Sequence, residues 1–265
     1  NLTGGSGYDV IVFSTAKGPM TIDLTRKSFS GGGGGGRIEN IEGIIGSVFG
    51  DTMLGDEGPN LFDGGFGADI FFGGPGNDTL AGGDGIDSAI YLGKGDKYTV
   101  SADGKGGLTI TGGSDGTDTL TGVERILFGD KSLAFDLTPA GSAGKTALVA
   151  GLLLGKGSLS NAPLMGTLLN YFDGGKSLAD ASALLITSGI LTQLAGGSSN
   201  EALVGFLFNN LVGAPPDAAT TAQLAQLISS GQYTQASFLA AVLEQDFTQN
   251  LVGLTGLAQS GLAFG

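Results

Sequence analysis

Five consecutive nonapeptides, GSVFGDTML (46–54), GDEGPNLFD (55–63), GGFGADIFF (64–72), GGPGNDTLA (73–81) and GGDGIDSAI (82–90), run in unbroken phase through the chain. Their sixth position is Asp51, Asn60, Asp69, Asp78 and Asp87, and their eighth is Met53, Phe62, Phe71, Leu80 and Ala89. A fixed oxygen-bearing residue and a fixed apolar residue in a Gly-rich frame mark a repeating structural unit, not a loose linker. A further copy, GGSGYDVIV, occupies 4–12 and carries Asp9 at the sixth position.

Composition limits the chemistry that such a frame can perform. The chain has 265 residues, with 52 Gly, 25 Asp or Glu, 12 Lys or Arg, and no His, Cys or Trp. Without His and Cys, thiol chemistry, Ser-His-Asp triads and the usual zinc sites are excluded, so a bound metal must be held by oxygen. A net charge of −13 disfavours nucleic acid and anionic membranes and favours divalent cations. The charge is also uneven: up to Pro139 there are 34 Gly, 19 acids and 9 bases, whereas the remainder is rich in Ala, Leu and Gln with helical spacing. This shift predicts two domains, 1–139 and 140–265. The longest apolar run, Ala147 to Leu154, is far too short to span a bilayer, so no transmembrane segment is expected.

The nonapeptides resemble the glycine- and aspartate-rich repeat of the RTX family, GGxGxDxUx. The resemblance implies a parallel β-roll in which a six-residue turn and a three-residue strand make half a coil, with calcium held between turns 18 residues apart. Elementary geometry agrees. Stacked strands lie about 4.7 to 4.9 Å apart, so an ion midway between stacked oxygens sits about 2.4 Å from each, a calcium distance and not a magnesium one. The turns at 64 and 82 form the most complete pair, with Asp69, Asp87, Gly64, Gly67, Gly82, Gly83 and Gly85. The pair 55 and 73 offers Asn60, Asp78, Gly73, Gly74 and Gly76, and the pair 46 and 64 offers Asp51 with Asp69. A fourth, partial site pairs Asp78 with Asp96 in YLGKGDKYT (91–99). Two to four calcium ions are expected. Position 27 is Lys, so Asp9 is expected to stack on a partner upstream of residue 1, with Leu2 inward. The chain therefore reads as the C-terminal part of a longer protein.

Between the repeat blocks, MTIDL (20–24) reads as a strand and Gly31 to Gly36 as a flexible loop. After them, KYTVSADGKGGLTIT (97–111) reads as a hairpin and 118–137 as short strands that cap the roll. From Gly141 onward, helices are expected near 143–154, 162–172, 178–188, 200–212, 217–229, 235–246 and 249–260, with capping signals at Ser177/Asp180 and Ser198/Glu201. The stretch 206–265, with Gly213, Pro215 and Asp217 in an interhelical turn, resembles a helical domain that accompanies RTX repeats and is distantly similar to phycobilisome linkers. Ala214 stands where that family carries Arg. The fold class is thus a calcium-loaded β-roll followed by an all-α domain.

Two catalytic-looking motifs are set aside. Gly112-Gly113-Ser114-Asp115-Gly116 satisfies GxSxG but has no His to serve it, and Gly144-Lys145-Thr146 lacks the first Gly of a phosphate loop, whose place Pro139 takes. No catalytic residue is assigned, and the chain is read as a non-enzyme. The resemblance implies an exported bacterial chain using the type I route, extracellular or on the cell surface. Two functions follow: a structural or adhesive protein of surface-layer, filament or adhesin type, with self-association or a cell-surface polymer as partner, or the secretion tail of an exported enzyme.

Overall fold

A computed structural model describes residues 1–265. The chain divides into two compact units, one made of Asn1–Phe135 with Ala258–Gly261, the other of Asp136–Leu257 with Leu262–Gly265.

The first unit is a parallel β-roll of two sheets. One sheet stacks Val10–Val12, Gly43–Ile45, Leu61–Phe66, Thr79–Asp84 and Thr117–Thr121, all parallel. The other stacks Met20–Asp23, Thr52–Leu54, Ile70–Phe72, Ser88–Ile90 and Arg125–Leu127, also parallel. Within the tandem repeats the register is 18 residues, as in Leu61↔Thr79 and Thr52↔Ile70. The roll nevertheless runs one coil beyond them at each end. Val10 pairs with Gly43 and Thr21 with Thr52, while Thr79 pairs with Thr119 and Ser88 with Arg125.

Two inserted hairpins account for the longer steps. In the first, Ser28–Gly31 pairs antiparallel with Gly34–Glu39, so the Gly-rich run expected to be a flexible loop is a hairpin instead. Only Gly32 and Gly33 form its turn, at φ +54° and +86°, the paired positive values that a two-residue hairpin turn demands. The flanking glycines lose no side-chain contact by pairing through their backbones. In the second, Tyr98–Ala102 pairs with Gly107–Gly112, which pairs antiparallel with Thr117–Thr121. Ser132–Ala134 is likewise antiparallel to Arg125–Leu127. Both insertions thereby extend a sheet with antiparallel strands that cover its terminal edge.

The core between the sheets is two facing columns of eighth-position side chains. Ile22, Met53, Phe71, Ala89 and Ile126 form one, and Ile44, Phe62, Leu80 and Leu120 the other, all fully buried or nearly so. Phe62 and Phe71 stack across the roll with ring centroids 6.4 Å apart. Burying an apolar side chain of this size contributes about 1.5 to 3 kcal/mol, so these columns carry much of the stability of a thin roll. Leu2 does not join them: it is exposed, on a strand of two residues paired with Gly34–Glu39.

The second unit is helical, with its main helices at Ser142–Leu154, Ala162–Asp173, Leu178–Thr187, Asn200–Val212, Ala218–Ser229 and Gln235–Leu243. The capping box at Ser177 and Asp180 forms, whereas the next cap is Ser199, whose side chain accepts from Ala202 N, not Ser198. The stretch expected as one helix over 249–260 is two, Asp246–Val252 and Leu254–Ser260, broken at Gly253 with φ +76°. A short strand, Leu262–Phe264, follows. Helix Ser142–Leu154 is buried along most of its length and lies close to Asp246–Val252. At Gly151 an added Cβ would collide with the Val252 side chain, so only Gly permits this approach. No helix is long and apolar enough to cross a membrane.

Candidate metal centre

The carboxylates of Asp51, Asp69, Asp78 and Asp87 reach back along the roll to the backbone of the preceding coil. Asp69 N donates to Asp87 Oδ1 at 2.7 Å, Asp51 N to Asp69 Oδ1 at 2.6 Å, and Asn60 N to Asp78 Oδ1 at 2.9 Å, each across 18 residues. These ladders bring Asp51, Asp69 and Asp87 together on one edge of the roll, and Asn60 and Asp78 on the other. Asp51, Asn60, Asp69, Asp78 and Asp87 are all at most 3% exposed. Carboxylates so deeply buried require compensation, because an ionised oxygen without partners costs several kcal/mol.

The second carboxylate oxygen separates the turns into two kinds. Asp69, Asp78 and Asp87 each have a buried Oδ2 with no hydrogen-bond partner. In the turns at 46, 55 and 4 that oxygen is satisfied from the second position of the same repeat: Ser47 N donates to Asp51 Oδ2, Asp56 N to Asn60 Oδ1, and Gly5 N to Asp9 Oδ2. The difference follows from backbone conformation. Gly65, Gly74 and Gly83 adopt φ +92°, +91° and +104°, whereas Ser47, Asp56 and Gly5 do not enter that region.

The orphan oxygens face cradles from which side chains are missing. A Cβ on Gly64 would strike Asp69 Oδ2 and come within 2.6 Å of the Gly82 carbonyl oxygen. A Cβ on Gly73 would strike Asp78 Oδ2, and one on Gly82 would strike the Gly122 carbonyl. Nowhere do three acidic side chains converge. Each site therefore combines one or two carboxylates with backbone carbonyls, an all-oxygen set that suits a hard cation such as calcium. Without a cation, burial pushes the Asp69 carboxyl up to about 7, with further lift from Asp87, Asp51 and Asp63. Burial likewise raises Asp78 to about 6, helped by Asp118, and raises Asp87.

Three members of the ladders escaped the sequence reading. Asp78 N donates to Asp118 Oδ1 at 2.9 Å, so Asp118, not Asp96, is the residue that follows Asp78. Asp96 sits exposed in the 3₁₀ turn Gly95–Lys97, 3.9 Å from Lys97 Nζ, because the chain leaves the roll there for the second hairpin. GSDGTDTLT (113–121) is a further nonapeptide, displaced 40 residues from 73–81, and its first four residues belong to the GxSxG lookalike. Asp9 has its partner downstream: Asp9 N donates to Glu42 Oε2 at 2.8 Å. Asp87 N donates in the same way to Glu124 Oε2 at 2.9 Å. Both glutamates stand where the chain re-enters the roll after an insertion, in NIEGII (40–45) and GVERIL (122–127). In both, the preceding Asp carbonyl accepts from two successive N–H groups: Asp9 O from Glu42 and Gly43, Asp87 O from Glu124 and Arg125. Their shared (Ile/Val)-Glu-x-Ile pattern was the available signal.

The second hairpin closes over Asp118. Tyr91 Oη donates to Asp118 Oδ2 at 2.9 Å, and Tyr98 Oη to Asp115 Oδ2 at 2.5 Å. Burial and these carboxylates push the Tyr98 phenol up to about 12 and Tyr91 further upward, so both remain protonated donors. Burial lifts Asp118 to about 6.

Residues 45–80 and 54–89 match the family model of the RTX calcium-binding nonapeptide repeat (4 copies). No curated protein matches. Among solved structures, the extracellular lipase LipA from Serratia marcescens is similar over 38% of this chain at 21% identity and a TM-score of 0.33. The similarity spans 18% of the lipase chain.

Proposed function

We propose that the roll is a calcium-ordered structural module of an exported protein, working outside the cell or at its surface, and that the chain itself is not an enzyme. The observation that carries this reading is the set of three buried, unpartnered oxygens on Asp69, Asp78 and Asp87. Calcium bound in those turns would supply the positive charge that lets these carboxylates stay ionised out of water. Asp69 with Asp87, Asn60 with Asp78, and Asp51 with Asp69 are the pairs that would hold it, together with carbonyls of the turn glycines. Up to three ions fit these pairs, the fourth expected site having been lost with Asp96. A carboxylate-rich roll short of calcium is destabilised by its own charge, so the segment would order where calcium is abundant, as extracellular modules do at about 10⁻⁴ to 10⁻³ M. The ordered roll and the helical unit then offer contact surfaces, for a second copy or for a cell-surface polymer. Far-UV circular dichroism of the full chain, with calcium and then with chelator, tests the coupling. Loss of β signal on chelation and its return with calcium are expected; a β signal indifferent to calcium would overturn the proposal.

A further inference from the structure

A groove of about 640 Å³ runs along one side of the roll, across the strands. Its floor is a column of ninth-position side chains, Leu54, Phe72 and Ile90, each half-buried. Asp23 and Leu54 are in register, as are Leu54 and Phe72, so the column crosses four successive strands. At about 4.8 Å per strand it spans about 14 Å. The two insertions supply its ends. At one end stands Arg26, whose side chain is 82% exposed yet held by Asp23, with Nη1 3.2 Å from Oδ2. At the other stand Tyr98, its ring 5.2 Å from that of Tyr91, together with Lys97, Ser114 and Asp115. Asp56 and Glu57 line the groove beside the turn at 55.

This arrangement is selective. A long apolar floor bordered by hydrogen-bonding side chains matches a ligand with apolar faces and polar edges. The lining carries four carboxylates and two cations, an excess of negative charge that disfavours a polyanion. At the two ends Asp23 is paired with Arg26 and Asp115 accepts from Tyr98 Oη, so two of the four carboxylates already have a partner within the protein. The Phe72 ring on the floor suits the C–H faces of sugar rings, and the mixed rim suits their hydroxyls. We propose that this groove binds a linear, neutral oligosaccharide laid along the roll axis. The proposal gives a chemical class to the surface contact described above and rests on that reading.

Maltohexaose, cellohexaose and chitohexaose, with their disaccharides and an oligoguluronate as anionic comparator, can be tested against the full chain in calcium by saturation-transfer NMR and calorimetry. Binding of at least one neutral hexasaccharide, more tightly than its disaccharide, is expected. Arg26→Ala and Lys97→Ala, both at exposed side chains, are each expected to weaken it about tenfold, while leaving the circular dichroism unchanged. Phe72→Ala should abolish it. Binding by none of the neutral hexasaccharides, preference for the oligoguluronate, or equal binding by the Arg26 and Lys97 variants would each overturn the assignment. Circular dichroism of the same samples with and without chelator separates the two readings. A β signal indifferent to calcium contradicts the calcium reading, whereas a folded, calcium-responsive roll that binds no saccharide contradicts the groove.

Discussion

At Gly83 the backbone turns to φ +104° and Asp87 Oδ2 is left buried without a donor; at Ser47, the equivalent position four repeats earlier, the N–H instead donates to Asp51 Oδ2 at 2.5 Å. The two turns share a frame and an aspartate, yet one has satisfied its carboxylate from within and the other has reserved it. A single backbone torsion, open to Gly and strained for Ser, separates them. Occupying the sixth position with Asp thus does not suffice for a metal site. The second position decides whether the carboxylate is still available.

The most forceful way to break this comparison is to neutralise each class of turn separately. Asp69→Asn/Asp78→Asn/Asp87→Asn removes all three orphan oxygens' charges and is expected to abolish the calcium-induced gain of β structure. Asp9→Asn/Asp51→Asn touches the self-satisfied turns and is expected to shift the calcium midpoint by only about threefold, the scale of one or two modest hydrogen bonds. Equal loss in both variants, read by circular dichroism over a calcium titration, would erase the distinction.

A second test compares one position in two turns. Gly83→Ala places a Cβ against the backbone of Gly65 at a φ that side chains rarely adopt. It is expected to destabilise the calcium-loaded roll by about 2 kcal/mol or more. Gly5→Ala meets nothing within 4 Å and needs no positive φ, so it is expected to be neutral or to stabilise by up to about 1 kcal/mol. Thermal melts in calcium would measure both. If they shift alike, conformation at the second position does not sort the turns.

The tandem core was legible because nothing interrupts its count of nine: Met53, Phe62, Phe71, Leu80 and Ala89 could be placed inward from spacing alone, and all are buried. The outer coils were not legible, because the hairpins add residues that are not multiples of nine. Asp118 is 40 residues from Asp78 and Glu42 is 33 from Asp9, distances at which a periodic search loses phase. At Glu42 and Glu124 the residue type changes as well. Gly31 to Gly36 misled for another reason: Gly favours flexibility in isolation, but here the backbone ladder to 28–31 fixes the run. The helices were largely legible through caps such as Ser177, whereas Gly253 looked like an interior residue until its αL conformation split the last helix.

Acidity offers a subtler probe, since it should act in opposite directions with and without calcium. In the metal-free roll, Asp69 and Asp78 hold protons up to about 7 and about 6, above the ordinary carboxylate value of 3.8, and Asp87 is raised too. Folding therefore takes up protons. That contribution is fully present below the unfolded value and is lost as pH rises through the folded ones. In chelator, the β signal is expected to be stronger near pH 5 than near pH 8. With calcium the order reverses, because the ion needs the deprotonated carboxylates and displaces their protons on binding. Circular dichroism at both pH values, with calorimetric proton release in two buffers, checks the sign. A metal-free roll that gains structure as pH rises would mean that the orphan carboxylates do not govern it.

The smallest expected effect is also the most pointed, because it adds function where the others remove it. Ser47 holds Asp51 twice, through its N–H to Oδ2 and through its hydroxyl to Oδ1 at 2.9 Å. Ser47→Gly removes the hydroxyl and frees the backbone to adopt the positive φ of Gly65, Gly74 and Gly83, which would release Asp51 toward the turn at 64. Phe49 remains at the fourth position, where the complete turns carry Gly67, Gly76 and Gly85, so conversion is partial. Calcium affinity is expected to rise about two- to fivefold, comparable to redirecting one hydrogen bond. Calorimetry should show it as a tighter first phase without loss of stoichiometry. A lower affinity would mean that the Ser47 contacts prepare Asp51 for the cation instead of occupying it, and the two kinds of turn would then differ in degree only.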